Sequence, residues 1–147
     1  MRVLFGLACL ILLVSCGSKT ITGDKLSKAD IDYIKGLGLL DDNETIILFD
    51  TQGGFDGIQV SGNFFTNIRI ASYWVDSEDK NKTSINFAFY KDIDTIIATP
   101  LTTSLTYASY LTVKRKDSKE FKVYIDGDST EIWNFFNQAI AEWTKNK

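Results

Sequence analysis

Residues 63–74 read NFFTNIRIASYW, the longest β-type run in the chain. Successive side chains of a strand point to opposite faces, so the run divides into two sets. Phe64, Thr66, Ile68, Ile70, Ser72 and Trp74 make one set; Phe65, Asn67, Arg69, Ala71 and Tyr73 make the other. The first set is the more apolar and is expected to face a core. Asn67 and Arg69 then fall on the wetter side, where Arg69 is expected to pair with an acidic neighbour.

Shorter elements lie on both sides of this run. Upstream, Ser27 and Asp30 stand at capping-box spacing, with Leu26 and Ile31 at the staple positions. They predict a helix of about two turns, ended by Gly36 and Gly38. Residues 45–49 (TIILF) read as a short strand, and 51–57 (TQGGFDG) as a glycine-rich connection. Downstream, residues 76–82 form a polar loop, and Ile85, Phe87 and Phe89 alternate as a half-buried strand. Residues 92–99 make another strand, stopped by Pro100. Two alternating runs, 107–114 and 121–125, flank Asp117 and Ser118 and predict a β-hairpin with its tip there.

The last element is a helix. Asp128 is its cap and Glu131 its N3 partner. Ile132, Phe135, Phe136, Ala139, Ile140 and Trp143 form its apolar stripe. Strands followed by one amphipathic helix point to an α+β, mainly β, domain.

The 147 residues suffice for one domain with a modest core. The chain has no histidine, and its two cysteines are Cys9 and Cys16. Ser-His and Cys-His pairs, histidine metal sites and a disulfide in the folded part are thereby excluded. No cofactor is expected. A net charge of −3 gives no general attraction to nucleic acid, so no nucleic-acid partner is expected.

Residues 1–16 read MRVLFGLACLILLVSC, with Arg2 before a 12-residue apolar stretch at 3–14. That is shorter than the ~20 residues of a membrane-spanning helix. The end, Leu13-Val14-Ser15-Cys16, resembles the lipobox of bacterial lipoproteins. The resemblance implies a signal peptide at 1–15, cleavage before Cys16, and acylation of that cysteine. Two or more acyl chains hold a protein stably on a membrane. Residues 16–25 then read as a polar tether and 26–147 as the folded domain. The expected location is the bacterial cell envelope, on the periplasmic side or the cell surface. The expected partners are the membrane, through the lipid anchor, and an envelope protein or a second copy.

Thr66-Asn67-Ile68-Arg69 in a β-run, then Phe87-Ala88-Phe89-Tyr90-Lys91-Asp92-Ile93-Asp94-Thr95-Ile96, then a closing helix, together resemble the bacterial pleckstrin-homology-like domains. The likeness covers roughly 44–146. It implies a bent antiparallel sheet, or partly open barrel, of about seven strands closed by the C-terminal helix, with the N-terminal helix as a short extra. It implies no single activity, since one scaffold serves lipids, peptides and assembly. The family's classical lipid site uses basic residues around the first strand–loop–strand. Residues 51–57 carry Asp56 and no Lys or Arg, so that site does not carry over.

Lys114, Arg115, Lys116, Lys119 and Lys122 cluster around the hairpin tip. They can bind phosphate or acidic headgroups, or simply keep the hairpin solvated and unpaired. The second reading is preferred. Tyr73, Tyr110 and Tyr124 are candidates for exposed contact, and Phe64, Trp74, Tyr107, Phe135 and Trp143 for the core. Gly53, Gly54 and Gly57 lack the lysine and helix of a phosphate loop. Neither Asp76, Glu78 and Asp79 nor Asp126, Asp128 and Glu131 shows calcium-loop spacing. The expectation is a non-enzymatic, lipid-anchored binding or scaffolding module. The alternative is an envelope hydrolase or glycan-acting protein using paired carboxylates.

Overall fold

The computed structural model describes residues 20–51, 57–103 and 107–147. The run at 63–74 is two strands, not one. Strand β3 spans Ser61–Thr66 and β4 spans Arg69–Trp74, paired antiparallel with Phe65 opposite Ile70. Asn67 and Ile68 form the turn between them. The Thr66 hydroxyl accepts the backbone N–H groups of Ile68 (3.1 Å) and Arg69 (3.0 Å). A side chain that satisfies two backbone donors competes with continuation of the strand. The turn resets the alternation. Phe64 now shares a face with Ala71, and Phe65 shares the other with Ile70.

Eight strands are described. Strands β1 (Ile21–Thr22), β2 (Ile46–Asp50), β3, β4 and β5 (Ser84–Phe89) form one antiparallel sheet in that order. Strands β6 (Ile93–Thr99), β7 (Ser109–Arg115) and β8 (Glu120–Ile125) form a second. Seven strands remain if the two-residue β1 is set aside. The two sheets do not close into a single barrel. Asn63 ties them together: its Oδ1 accepts from Ser72 Oγ and from the Tyr124 backbone N–H, both at 2.9 Å.

Both faces of the five-stranded sheet are covered, and all six residues of β3 are buried. On one face Phe65, Ile70 and Ala88 meet the second sheet and helix α2 (Ser129–Asn146). Phe65 and Phe135 meet edge to face, with ring centroids 5.1 Å apart. On the other face Phe49, Phe64, Ala71 and Tyr73 meet helix α1 (Lys28–Gly36) through Ile34 and the following Leu39 and Leu40. Gly62 lies under this second core. A Cβ there would stand 2.5 Å from the rings of Phe49 and Tyr73, so only glycine lets them close over the sheet.

Both predicted capping boxes form, on Ser27 with Asp30 and on Asp128 with Glu131. Gly38 follows α1 at φ 75°, the left-handed value that ends a helix cheaply on glycine. The hairpin tip is where it was expected, with Ser118 at φ 67°.

Several expectations are corrected. Arg69 is not on a wet face: it is 2% exposed. Trp74 and Tyr107, expected in the core, are 41% and 71% exposed, while Tyr73, expected outside, is buried. Tyr73 donates its hydroxyl hydrogen to the Ile58 carbonyl. Residues 21–25, expected in a polar tether, belong to the fold: Ile21 and Thr22 pair with Phe49 and Leu48, and 23–25 form a 3-10 turn. The fold therefore takes in the chain from Thr20 on. Residues 1–19, with the leader and Cys16, lie outside the described residues, as do Gly53, Gly54 and Asp56 of the glycine-rich connection. No helix among the described residues is long and apolar enough to cross a membrane.

Candidate functional site

Strands β7 and β8 and their tip bring four of the predicted cations together. Lys114, Arg115, Lys116 and Lys119 line one recess of about 360 Å³ with Asp94, Ser118 and Glu120. A second recess of about 360 Å³ lies against it, between the hairpin and β5. It is lined by Ile85, Asn86, Phe87, Arg115, Lys119, Glu120 and Phe121. Arg115, Lys119 and Glu120 belong to both, so they form the wall that the two recesses share.

Lys122 is apart from this group. Its Nζ sits 4.1 Å from the ring centroid of Tyr110, which packs 5.8 Å from Tyr124. Lys122 pairs with Thr112, two ladder positions along the hairpin from the Lys114–Glu120 pair, and its side chain is taken up by the Tyr110 ring. Tyr110 and Tyr124 are half-buried there, and a cation–π contact employs Lys122 within the fold.

The cations of the recess are loosely held. Arg115 donates to the Phe87 carbonyl at 3.3 Å and to Asp117 Oδ2 at 3.0 Å, and its buried Nε has no partner. Lys114 lies 4.0 Å from Glu120, both well exposed. Lys116 Nζ donates to the Lys91 carbonyl at 2.7 Å. Exposed pairs of this kind stabilise a fold by only ~0–1 kcal/mol, so the charges are available to a partner.

Arg69 is held quite differently. Its Nε donates to Glu44 Oε1 at 2.8 Å, and its Nη2 lies 2.7 Å from Glu44 Oε2 and 2.6 Å from Asp41 Oδ2. The guanidinium stacks on the rings of Phe87 and Phe89, 5.1 Å and 4.5 Å from their centroids. The Thr66 hydroxyl donates to the same Glu44. This is a forked, desolvated ion pair of the strong kind. It fastens the segment after α1 to the β3–β4 turn. The sequence carried the partners, but nothing local linked Glu44 to Arg69, 25 positions away.

A second buried charge was not foreseen. Asp50 ends β2 with no exposed surface. Its Oδ2 accepts from Thr20 Oγ1 at 3.1 Å, and its Oδ1 has no partner. Burial pushes its carboxyl up to about 7; the Thr20 hydroxyl and the Asp126 backbone N–H work against the rise, and the charges of Asp126 and Glu131 add to it. A raised acid beside a second carboxylate is the pairing a glycosidase needs. Asp50 is sealed, however, and the nearby cavity that Asp126 lines is about 70 Å³, too small for a sugar ring. The signal in the sequence was an acid closing the apolar run at 45–50.

At the far end of α2, Ile68, Phe89, Lys91 and Asn146 line a further cleft of about 370 Å³. The two acidic clusters, which lack calcium-loop spacing, serve the backbone. Asp76 Oδ1 accepts the N–H groups of Glu78 and Asp79, and Asp128 and Glu131 cap α2.

No family model and no curated protein matched the chain. Among solved structures, it is similar to a DUF1696 family protein with a pleckstrin-homology domain from Shewanella loihica PV-4. The identity is 16% and the TM-score 0.43, over 80% of this chain and 96% of that one.

Proposed function

We propose that this chain is a lipid-anchored, non-enzymatic binding or scaffolding module of the bacterial cell envelope, built on a pleckstrin-homology-like domain. The observation that carries the anchor is Leu13-Val14-Ser15-Cys16 at the end of a short apolar leader. The described fold reaches back to Thr20, four positions past Cys16, close enough for a lipid on that cysteine to hold the domain at a surface.

Two antiparallel sheets with a C-terminal helix packed on their shared core support the pleckstrin-homology-like reading, with α1 on the other face of the larger sheet. A binding role is supported by the open, weakly paired cations of the β7–β8 hairpin, set beside fully satisfied charges such as Arg69. Metabolic labelling with palmitate tests the anchor. The wild-type chain is expected to label and Cys16→Ser is not; equal labelling of both overturns the reading.

A further inference from the structure

Strand β2 runs toward Asp50, which bonds Thr20, the first described residue of the fold. Strand β8 ends close by, since the Tyr124 N–H meets Asn63, the register partner of Asp50. Ile125 is therefore at this entry end, and Glu120 is at the far end of β8, beside β5. The hairpin tip at 116–119 is separated from the entry end by the length of β7 and β8, roughly 20 Å at ~3.3 Å per residue. Four residues from Cys16 to Thr20 reach at most roughly 14 Å.

The recess between β5 and the hairpin has an open strand beside it. β5 ends the five-stranded sheet. The Phe87 carbonyl turns away from β4 and is met by Arg115 at a long 3.3 Å. N–H and C=O of one strand residue point the same way, and alternate residues repeat the direction. Ile85 therefore also presents its N–H and C=O outward, and its side chain is 41% exposed. The walls of the two recesses carry Lys114, Arg115, Lys116 and Lys119 against Asp94 and Glu120: four cations to two carboxylates. A buried Arg115 Nε–H with no acceptor lies in that wall.

From these features we infer that the groove between β5 and the β7–β8 hairpin takes an acidic polypeptide segment as an added strand. The segment's backbone pairs with the outward groups of Ile85 and Phe87, and its carboxylates meet Arg115 and Lys119. A polypeptide is favoured over lipid headgroups because the outward backbone groups of β5 match the N–H and C=O spacing of a strand, which a headgroup lacks. This assignment of a partner rests on the reading of the chain as an anchored binding module.

The test uses the chain from Cys16 onward with Cys16→Ser, so that lipidation does not enter. Amide shifts are followed by NMR on adding a short peptide of alternating Glu and Thr, its Lys-Thr counterpart, or vesicles of phosphatidylglycerol and phosphatidylethanolamine. The Glu-Thr peptide is expected to shift the amides of 84–89 and 115–121 and to bind roughly tenfold more tightly than the Lys-Thr peptide. Lys119→Glu should weaken it roughly tenfold. Ile85→Pro removes an outward N–H without touching the ladder to β4, and should abolish binding while the circular dichroism spectrum is kept. The inference is overturned by an unbound Glu-Thr peptide, by binding that ignores both substitutions, by hairpin shifts with the vesicles alone, or by β5 pairing with a second copy. Palmitate labelling reads the anchor separately, so either reading can fail without the other.

Discussion

Arg69 and Arg115 both reach Phe87, from opposite sides, and they are held in opposite ways. Arg69 lies over the Phe87 ring with its fork on Glu44 and Asp41. Arg115 touches the Phe87 carbonyl, borrows one exposed carboxylate from Asp117, and leaves Nε unpaired. One is 2% exposed at its side chain and the other 34%. A buried cation must be fully paired, because desolvation without partners costs several kcal/mol. A cation at a rim can stay partly unpaired, because water screens it. Full pairing holds Arg69 inside the fold, and partial pairing leaves Arg115 at its rim.

The comparison breaks if Arg69 is dispensable. Arg69→Met strands Glu44 inside the fold and should cost about 3–5 kcal/mol, read as a lower midpoint in urea. Replacing Glu44 by Gln in the same chain should recover part of that loss, since the two residues act as one unit.

Asp50 sharpens the comparison, being buried like Arg69 but incompletely paired. Its carboxyl holds a proton up to about pH 7 in the folded chain and loses it near the ordinary 3.8 when unfolded. The unfolded chain therefore binds fewer protons in between, and stability should fall as pH rises from about 4 to about 7, then level off. Asp50→Asn should flatten that slope and stabilise the protein above pH 7 by up to about 4 kcal/mol, measured as unfolding free energy against pH.

Arg115→Ala is expected to change stability by less than about 1 kcal/mol. A loss as large as that of Arg69 would make the hairpin cation structural and remove the contrast. Smallest is Ser118→Gly. The left-handed φ at the tip strains serine, so glycine should raise the thermal midpoint slightly, by up to about 1 kcal/mol of stability.

Much of the architecture was legible residue by residue. The caps at Ser27 and Asp128, the stop at Gly38, the tip at Ser118 and the stripe of α2 rest on neighbours three or four positions away, and all formed. The hairpin cations could be named for the same reason, since one β-turn gathers them. The run at 63–74 could not be resolved. Its alternation is correct on each side of the turn, but Thr66 breaks the strand with two side-chain hydrogen bonds, and every face assignment beyond it inverts. A sheet buried on both faces also removes the apolar-in, polar-out contrast on which the pattern depends. That is why Tyr73 and Trp74 exchanged places.

Local order and the absence of histidine chemistry were thus set by the sequence itself, because they depend on residue types and short spacings. Only the tertiary structure decided that Arg69 is a sealed clasp, that Asp50 is a buried acid, and that Arg115 stands beside an open strand edge. Each depends on partners 25 to 30 positions away and on which face a side chain takes after a turn. That parity is a property of the assembled sheets, and no local spacing encodes it.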